Sequence, residues 1–100
     1  MQTAHRSVFS GENISVDENS IQSNCNTITF DNYGSSNCRI YFNDDASDHL
    51  GDYIVLQAGK VLILGNRPDI IIQDEFDVVF TAGDGLVNGL NIIRETIMLL

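Results

Sequence analysis

Apolar residues in this chain come in short runs separated by glycine, asparagine and aspartate, and the punctuation is sharpest over residues 53–100. No run sustains a 3.6-residue period over helical length, which predicts consecutive β-strands. Over residues 26–43, Ile28 and Phe30 alternate with Thr27, Thr29 and Asp31, and Cys38, Ile40 and Phe42 alternate with Arg39, Tyr41 and Asn43. With the turn residues Tyr33, Gly34, Ser35, Ser36 and Asn37 between them, the two stretches predict a half-buried antiparallel hairpin. Tyr41 is expected on its outward face.

The remaining pattern extends this reading. Tyr53, Ile54, Val55 and Leu56 predict a strand, residues 57–60 a turn, and Val61, Leu62, Ile63 and Leu64 the return strand. Both parities are apolar there, so these strands are expected either to be covered on both faces or to form part of a subunit contact. Ile70, Ile71 and Ile72, and then Phe76, Val78 and Phe80, predict further strands, followed by a loop over residues 81–89 with the turn dipeptides Asp84-Gly85 and Asn88-Gly89.

The last segment, residues 90–100, is open between helix and strand. Leu90, Ile93, Ile97 and Leu100 fit a helical spacing, whereas the β-branched Ile92, Ile93, Thr96 and Ile97 favour a strand, which is the preferred reading. Residues 1–24 are expected to form an amino-terminal arm or weak strands around Val8, Phe9, Ile14 and Val16, interrupted by a turn at residues 10–13. Seven to nine strands in 100 residues, joined mostly by short turns, predict a single antiparallel β-sandwich of jelly-roll or immunoglobulin-like type, its domain spanning residues 25–100. The absence of tryptophan weakens the immunoglobulin alternative.

Composition narrows the function classes. One hundred residues with 43% hydrophobic content suit one domain with its own core. A formal net charge of -9, with Lys60 and four arginines spread along the chain, disfavours nucleic acid and anionic membranes as partners. No basic region leads into an apolar stretch near Met1, and no apolar run approaches the roughly 20 residues of a membrane span, so a product made in a cytoplasm is expected. Cys25 and Cys38 fall at different levels of the expected hairpin, and Cys38 shares the parity of Ile40 and Phe42. Reduced thiols, with Cys38 in the core, are expected.

Candidate chemistry is sparse. Asp44, Asp45, Asp48 and Asp52 place several hard oxygen ligands in one loop and could hold calcium, although Ala46 and Leu50 break the spacing of an EF-hand. A solvated acidic loop is the simpler reading. His5 and His49 form no metal-ligand pattern, and Ser35 beside Gly34 lacks the strand-to-helix elbow of a nucleophile. Asp74, Glu75 and Asp77 read as turn and strand acids rather than a glycosidase pair. Residues 83–89 lack the lysine of a phosphate-binding loop. No cofactor and no enzymatic activity are expected. Tyr33, Tyr41 and Tyr53 could line a carbohydrate surface, and Tyr41, Tyr53 and the acidic loop give a carbohydrate- or receptor-binding module as the alternative. The chain ends on Ile97, Met98, Leu99 and Leu100, and an apolar end of this kind calls for cover. Together with Ile70, Ile71 and Ile72 it is the expected subunit-contact surface.

Asn32-Tyr33-Gly34, the run Cys38-Arg39-Ile40-Tyr41-Phe42-Asn43, the run Tyr53-Ile54-Val55-Leu56-Gln57-Ala58-Gly59-Lys60 and the strand region 74–80 resemble the small β-sandwich virion proteins of tailed bacteriophages. The resemblance spans residues 26–80 and is a pattern of strands and turns, with no active-site motif in it. It implies a structural subunit, either a capsid decoration or auxiliary protein or a head-fibre, neck or tail component. Such a subunit is located in the virion and forms homo-oligomers or contacts with other virion proteins. The polar amino-terminal segment lies outside the pattern.

Overall fold

A computed structural model describes residues 4–43, 53–65, 69–81 and 83–99, with no description of the Asn43 and Leu99 side chains. Among these residues the chain forms eight strands: β1 His5–Ile14, β2 Glu18–Gln22, β3 Thr27–Asn32, β4 Cys38–Asn43, β5 Tyr53–Leu56, β6 Val61–Gly65, β7 Glu75–Phe80 and β8 Leu90–Leu99. They make two antiparallel four-stranded sheets, ordered β1-β8-β3-β6 and β2-β7-β4-β5. The expected all-β sandwich is present. Every connection except β4 to β5 crosses from one sheet to the other, and the paired orders are those of a jelly roll rather than an immunoglobulin domain.

That topology corrects two expected hairpins. β3 and β4 lie in different sheets, as do β5 and β6, so residues 33–37 and 57–60 are corners between layers. The physical reason is that period-two alternation specifies one buried face and says nothing about which sheet carries it. Ile28 and Phe30 meet Cys38, Ile40 and Phe42 across the core instead of along a ladder. Three further readings change. The turn expected at residues 10–13 is absent, because β1 runs straight through it with every residue paired to β8. A continuous ladder outweighs the local turn preference of Ser10, Gly11 and Asn13. Ile70, Ile71 and Ile72 form no strand: Ile72 alone makes an isolated bridge, exchanging backbone hydrogen bonds with Cys25 at 2.7 and 3.3 Å. Residues 90–99, open between helix and strand in the sequence, are strand β8.

The core lies between the layers. Ile28 and Phe30 of β3 and Leu90 and Ile92 of β8 face Ile40 of β4 and Phe76, Val78 and Phe80 of β7. Phe76 stands edge-on to Phe30 of the opposite sheet, with centroids 5.4 Å apart, and to Phe42 of its own sheet at 5.6 Å. Aromatic pairs in this geometry add about 0.5–1.5 kcal/mol each beyond area burial. Cys25 and Cys38 are both buried and unbridged, and burial pushes the Cys38 thiol up to about 11. Cys38 thus occupies the core position expected from its parity.

Two buried asparagines close the ends of β3. At one end Asn32 donates through Nδ2 to the carbonyls of Ser36 (2.8 Å) and Leu56 (3.1 Å) and accepts the Gly34 N–H at 3.2 Å. At the other end Asn26 donates through Nδ2 to the Ile70 carbonyl at 2.9 Å and accepts the Ile97 N–H at 2.7 Å. Both amides satisfy backbone groups that no ladder reaches, which a buried irregular segment requires.

Candidate interaction surface

β8 is longer than β3, one of the two strands beside it. β3 covers β8 only from Asn32↔Leu90 to Thr27↔Glu95, whereas β1 follows it from Ile14↔Leu90 to His5↔Leu99. Asn26 ends the β3 ladder by taking the Ile97 N–H. Beyond Glu95, among the described residues, β8 is laddered to β1 alone, and the two strands continue as a two-stranded ribbon.

Side-chain parity makes this ribbon apolar on both faces. Even-numbered residues of β8 and β1 point toward the second sheet, as buried Leu90, Ile92 and Ile14 show. The same parity continues with Val8 and Met98, which are 41% and 45% exposed because the second sheet does not extend over them. On the opposite face stand Phe9, 65% exposed, and half-buried Ile97. Exposed Ile63 and Ile93 flank Thr29 on the same outer face and extend the apolar surface across the sheet. Edge strand β6, expected to be either covered or in contact, turns Leu62 and Leu64 inward and leaves Val61 and Ile63 exposed.

Arg94 marks where sandwich gives way to ribbon. Its inward parity brings the guanidinium to Glu12 of β1 at 2.8 Å, and Nε donates to the Gln22 carbonyl of β2 in the other sheet at 2.8 Å. A charged residue here is tolerable because it is partly solvated and fully engaged; deeper in the core it would not be.

The expected contact residues divide into two groups that the fold brings together. Ile70 and Ile71 are exposed on the connection before β7, while Ile72 packs half-buried on the core. Ile97 and Met98 lie on β8, and Leu99 is the last residue of that strand. The Asn26 amide bonds both the Ile70 carbonyl and the Ile97 N–H, so the two backbones sit one side chain apart. Leu100 and the candidate calcium ligands Asp44, Asp45, Asp48 and Asp52 lie outside the described residues. Val8 and Phe9 read in sequence only as part of a weak strand or arm, because the turn expected at residues 10–13 cuts short the ladder that carries them.

A second surface lies on the outer face of the other sheet. Tyr41 pairs with Tyr53 across β4 and β5, their ring centroids 5.1 Å apart at 45°. Tyr41 has the outward parity expected of it but is buried rather than exposed, because Tyr53 and its neighbours cover it. The Arg39 guanidinium lies 4.9 Å from the Tyr53 centroid, a cation–π distance. Beside them Asp77 is buried on β7 and accepts the Ser20 N–H at 2.9 Å, and Gln22 Nε2 donates to Glu75 Oε1 at 2.5 Å. Tyr33 stands apart from this cluster; its hydroxyl bonds Asn13 and its ring lies against Gly89. Among the described residues no group of three or more His, Cys, Asp or Glu side chains is placed to hold a metal ion.

Comparison with protein-family models, with curated proteins and with solved structures finds no match for the chain.

Proposed function

We propose that this chain is a non-enzymatic bacteriophage virion structural protein, a capsid decoration or auxiliary protein or a head-fibre or tail component, that acts through subunit contacts. The observation that carries the reading is the β1–β8 ribbon, a two-stranded projection with exposed apolar side chains on both faces. Such a ribbon buries little against its own domain and gains its stability by docking, as exposed contiguous apolar surface does in general. The jelly-roll order supports the same reading, since capsid subunits use this architecture among other classes, although a fold alone assigns no function. The acidic composition supports a subunit that packs among proteins without adhering to packaged DNA.

Solution mass by light scattering on a sizing column tests it. The native chain should assemble, and Ile97→Asp, which places a charge on the ribbon's outer face, should lower the mass of the assembly at unchanged circular dichroism. A native chain that stays monomeric, or an Ile97→Asp variant that assembles as before, would count against the proposal.

The Arg39–Tyr41–Tyr53 cluster favours a second reading, a carbohydrate- or receptor-binding module. A stacked aromatic pair with an adjacent cation is a platform on which a sugar ring can lie. Saturable glycan binding lost in Tyr53→Ala, with assembly unchanged, would support this reading over the first.

A further inference from the structure

Four strands lie at sheet edges, and they differ in what they offer a partner. β5 and β6 have only four and five residues, and β2 is broken by a register shift at Ser20, which holds φ at 58°. β1 has ten residues in unbroken register, without proline or bulge, and every residue from 5 to 13 is exposed. An edge of this length and regularity is an open template for another strand.

We infer that β1 pairs antiparallel with β1 of a second copy, about a two-fold axis through Phe9, to make one continuous eight-stranded sheet. The register follows from parity and charge. Residues directly opposite each other in an antiparallel pair share a face, so a two-fold edge pairing must place residues of equal parity across from one another. Of the registers this allows, centring on Phe9 sets Arg6 against Glu12 of the other copy, twice by symmetry. Centring on Val8 sets Arg6 against Ser10, and centring on Ser10 sets Glu12 against Val8. The Phe9 register also stacks Phe9 on its own copy on the outer face and puts Ser7 against Gly11, leaving room for both rings. Opposite charges and aromatic pairs directly across a ladder each favour pairing. Glu12 is 46% exposed beside Arg94 and has room for a second cation. With His5 and Arg6 near its start and Glu12 near its end, β1 also escapes the repulsion that a net charge of -9 imposes elsewhere.

The inference rests on the proposed function, in that it names the partner for the contact surface. Two experiments on the full chain separate them. Arg6→Glu and Glu12→Arg should each weaken self-association at least tenfold, and mixing the two should restore it, because the mixed pair regains both opposite-charge contacts. Phe9→Cys should form a disulfide-linked dimer under mild oxidation, whereas Ser7→Cys and Gly11→Cys should not. Failure of Phe9→Cys to cross-link in a chain that light scattering shows to be assembled, or association of Arg6→Glu at native strength, would overturn the β1 register and leave the structural-subunit reading standing. A native chain that remains monomeric would overturn both.

Discussion

The side chain of Asn26 accepts the backbone N–H of Ile97 at 2.7 Å while donating to the carbonyl of Ile70 at 2.9 Å. One buried amide therefore fixes where the β3–β8 ladder stops and ties the β6–β7 connection to it. Replacing Asn26 with alanine strands an N–H and a carbonyl at once. The expected cost is about 2–6 kcal/mol, the sum of two unsatisfied groups. Amide exchange at Ile97 should accelerate out of proportion to the global loss, and equal acceleration throughout β8 would show that Asn26 does not define the ribbon's base.

The Cys38 thiol carries a pH dependence of known sign. Burial raises its pKa from 9.0 to about 11, so the folded state holds its proton where the unfolded chain has released it. Its contribution to stability is complete below pH 9 and is lost as the pH rises toward 11, up to roughly 2–3 kcal/mol for a shift of this size. Urea unfolding of the native chain should weaken across that window more than unfolding of Cys38→Ala. Parallel decline in both would assign the effect to other groups.

Two glycines with positive φ separate strain from space. Gly59, at φ 78°, has nothing within 4 Å of a would-be Cβ, whereas at Gly65, with φ 96°, a Cβ would run into the Asn26 carbonyl. Gly59→Ala should cost only the left-handed penalty of about 1–2 kcal/mol. Gly65→Ala should cost clearly more, because the backbone it strikes carries the Asn26 amide just described. Thermal midpoints of the two variants provide the comparison, and equal shifts would contradict it.

Arg94 joins both sheets, and its two contacts should be separable. Glu12→Ala removes the partly exposed ion pair and should cost no more than about 1 kcal/mol, diminishing with salt. Arg94→Ala also strips the Gln22 carbonyl of its donor and should cost about 1–3 kcal/mol with weak salt dependence. A double-mutant cycle measured at low and high salt would expose the difference; identical behaviour of the two single variants would mean the Gln22 contact contributes nothing.

Much of this fold could be read from alternation, because burial on one face leaves a period-two imprint. Ile28 and Phe30, and Cys38 and Ile40, sit on the core face that their alternation predicts. Strand partnership was not legible: Phe30 reads the same whether its neighbour along the ladder is Ile40 or, as here, Leu62 and Ile92. Pairing is decided by long-range closure that no local window contains. β1 reads in sequence only as weak strands or an arm, for a related reason. Its outer residues carry no apolar alternation to betray a strand, since nothing covers them, and Gly11 and Asn13 in isolation favour a turn. Asn26 and Asn32 look like loop residues in sequence, as asparagine usually is, and only their burial reveals them as structural amides. Of the ribbon's apolar side chains, Ile97 and Met98 could be read from the sequence, whereas Val8 and Phe9 join them only because β1 lies beside β8.

The position of β8 between β1 and β3 sets an order of events during synthesis. β1 emerges ahead of the other described strands but has no ladder partner until residues 90–99 follow it. The earliest of the described strands must wait for the last, and every pairing it forms reaches across the six strands between them. Closing so distant a pair makes folding slow, since loop entropy is spent before any contact rewards it. For that interval β1 is an unpaired strand with a self-complementary charge pattern, in a crowd of identical nascent chains.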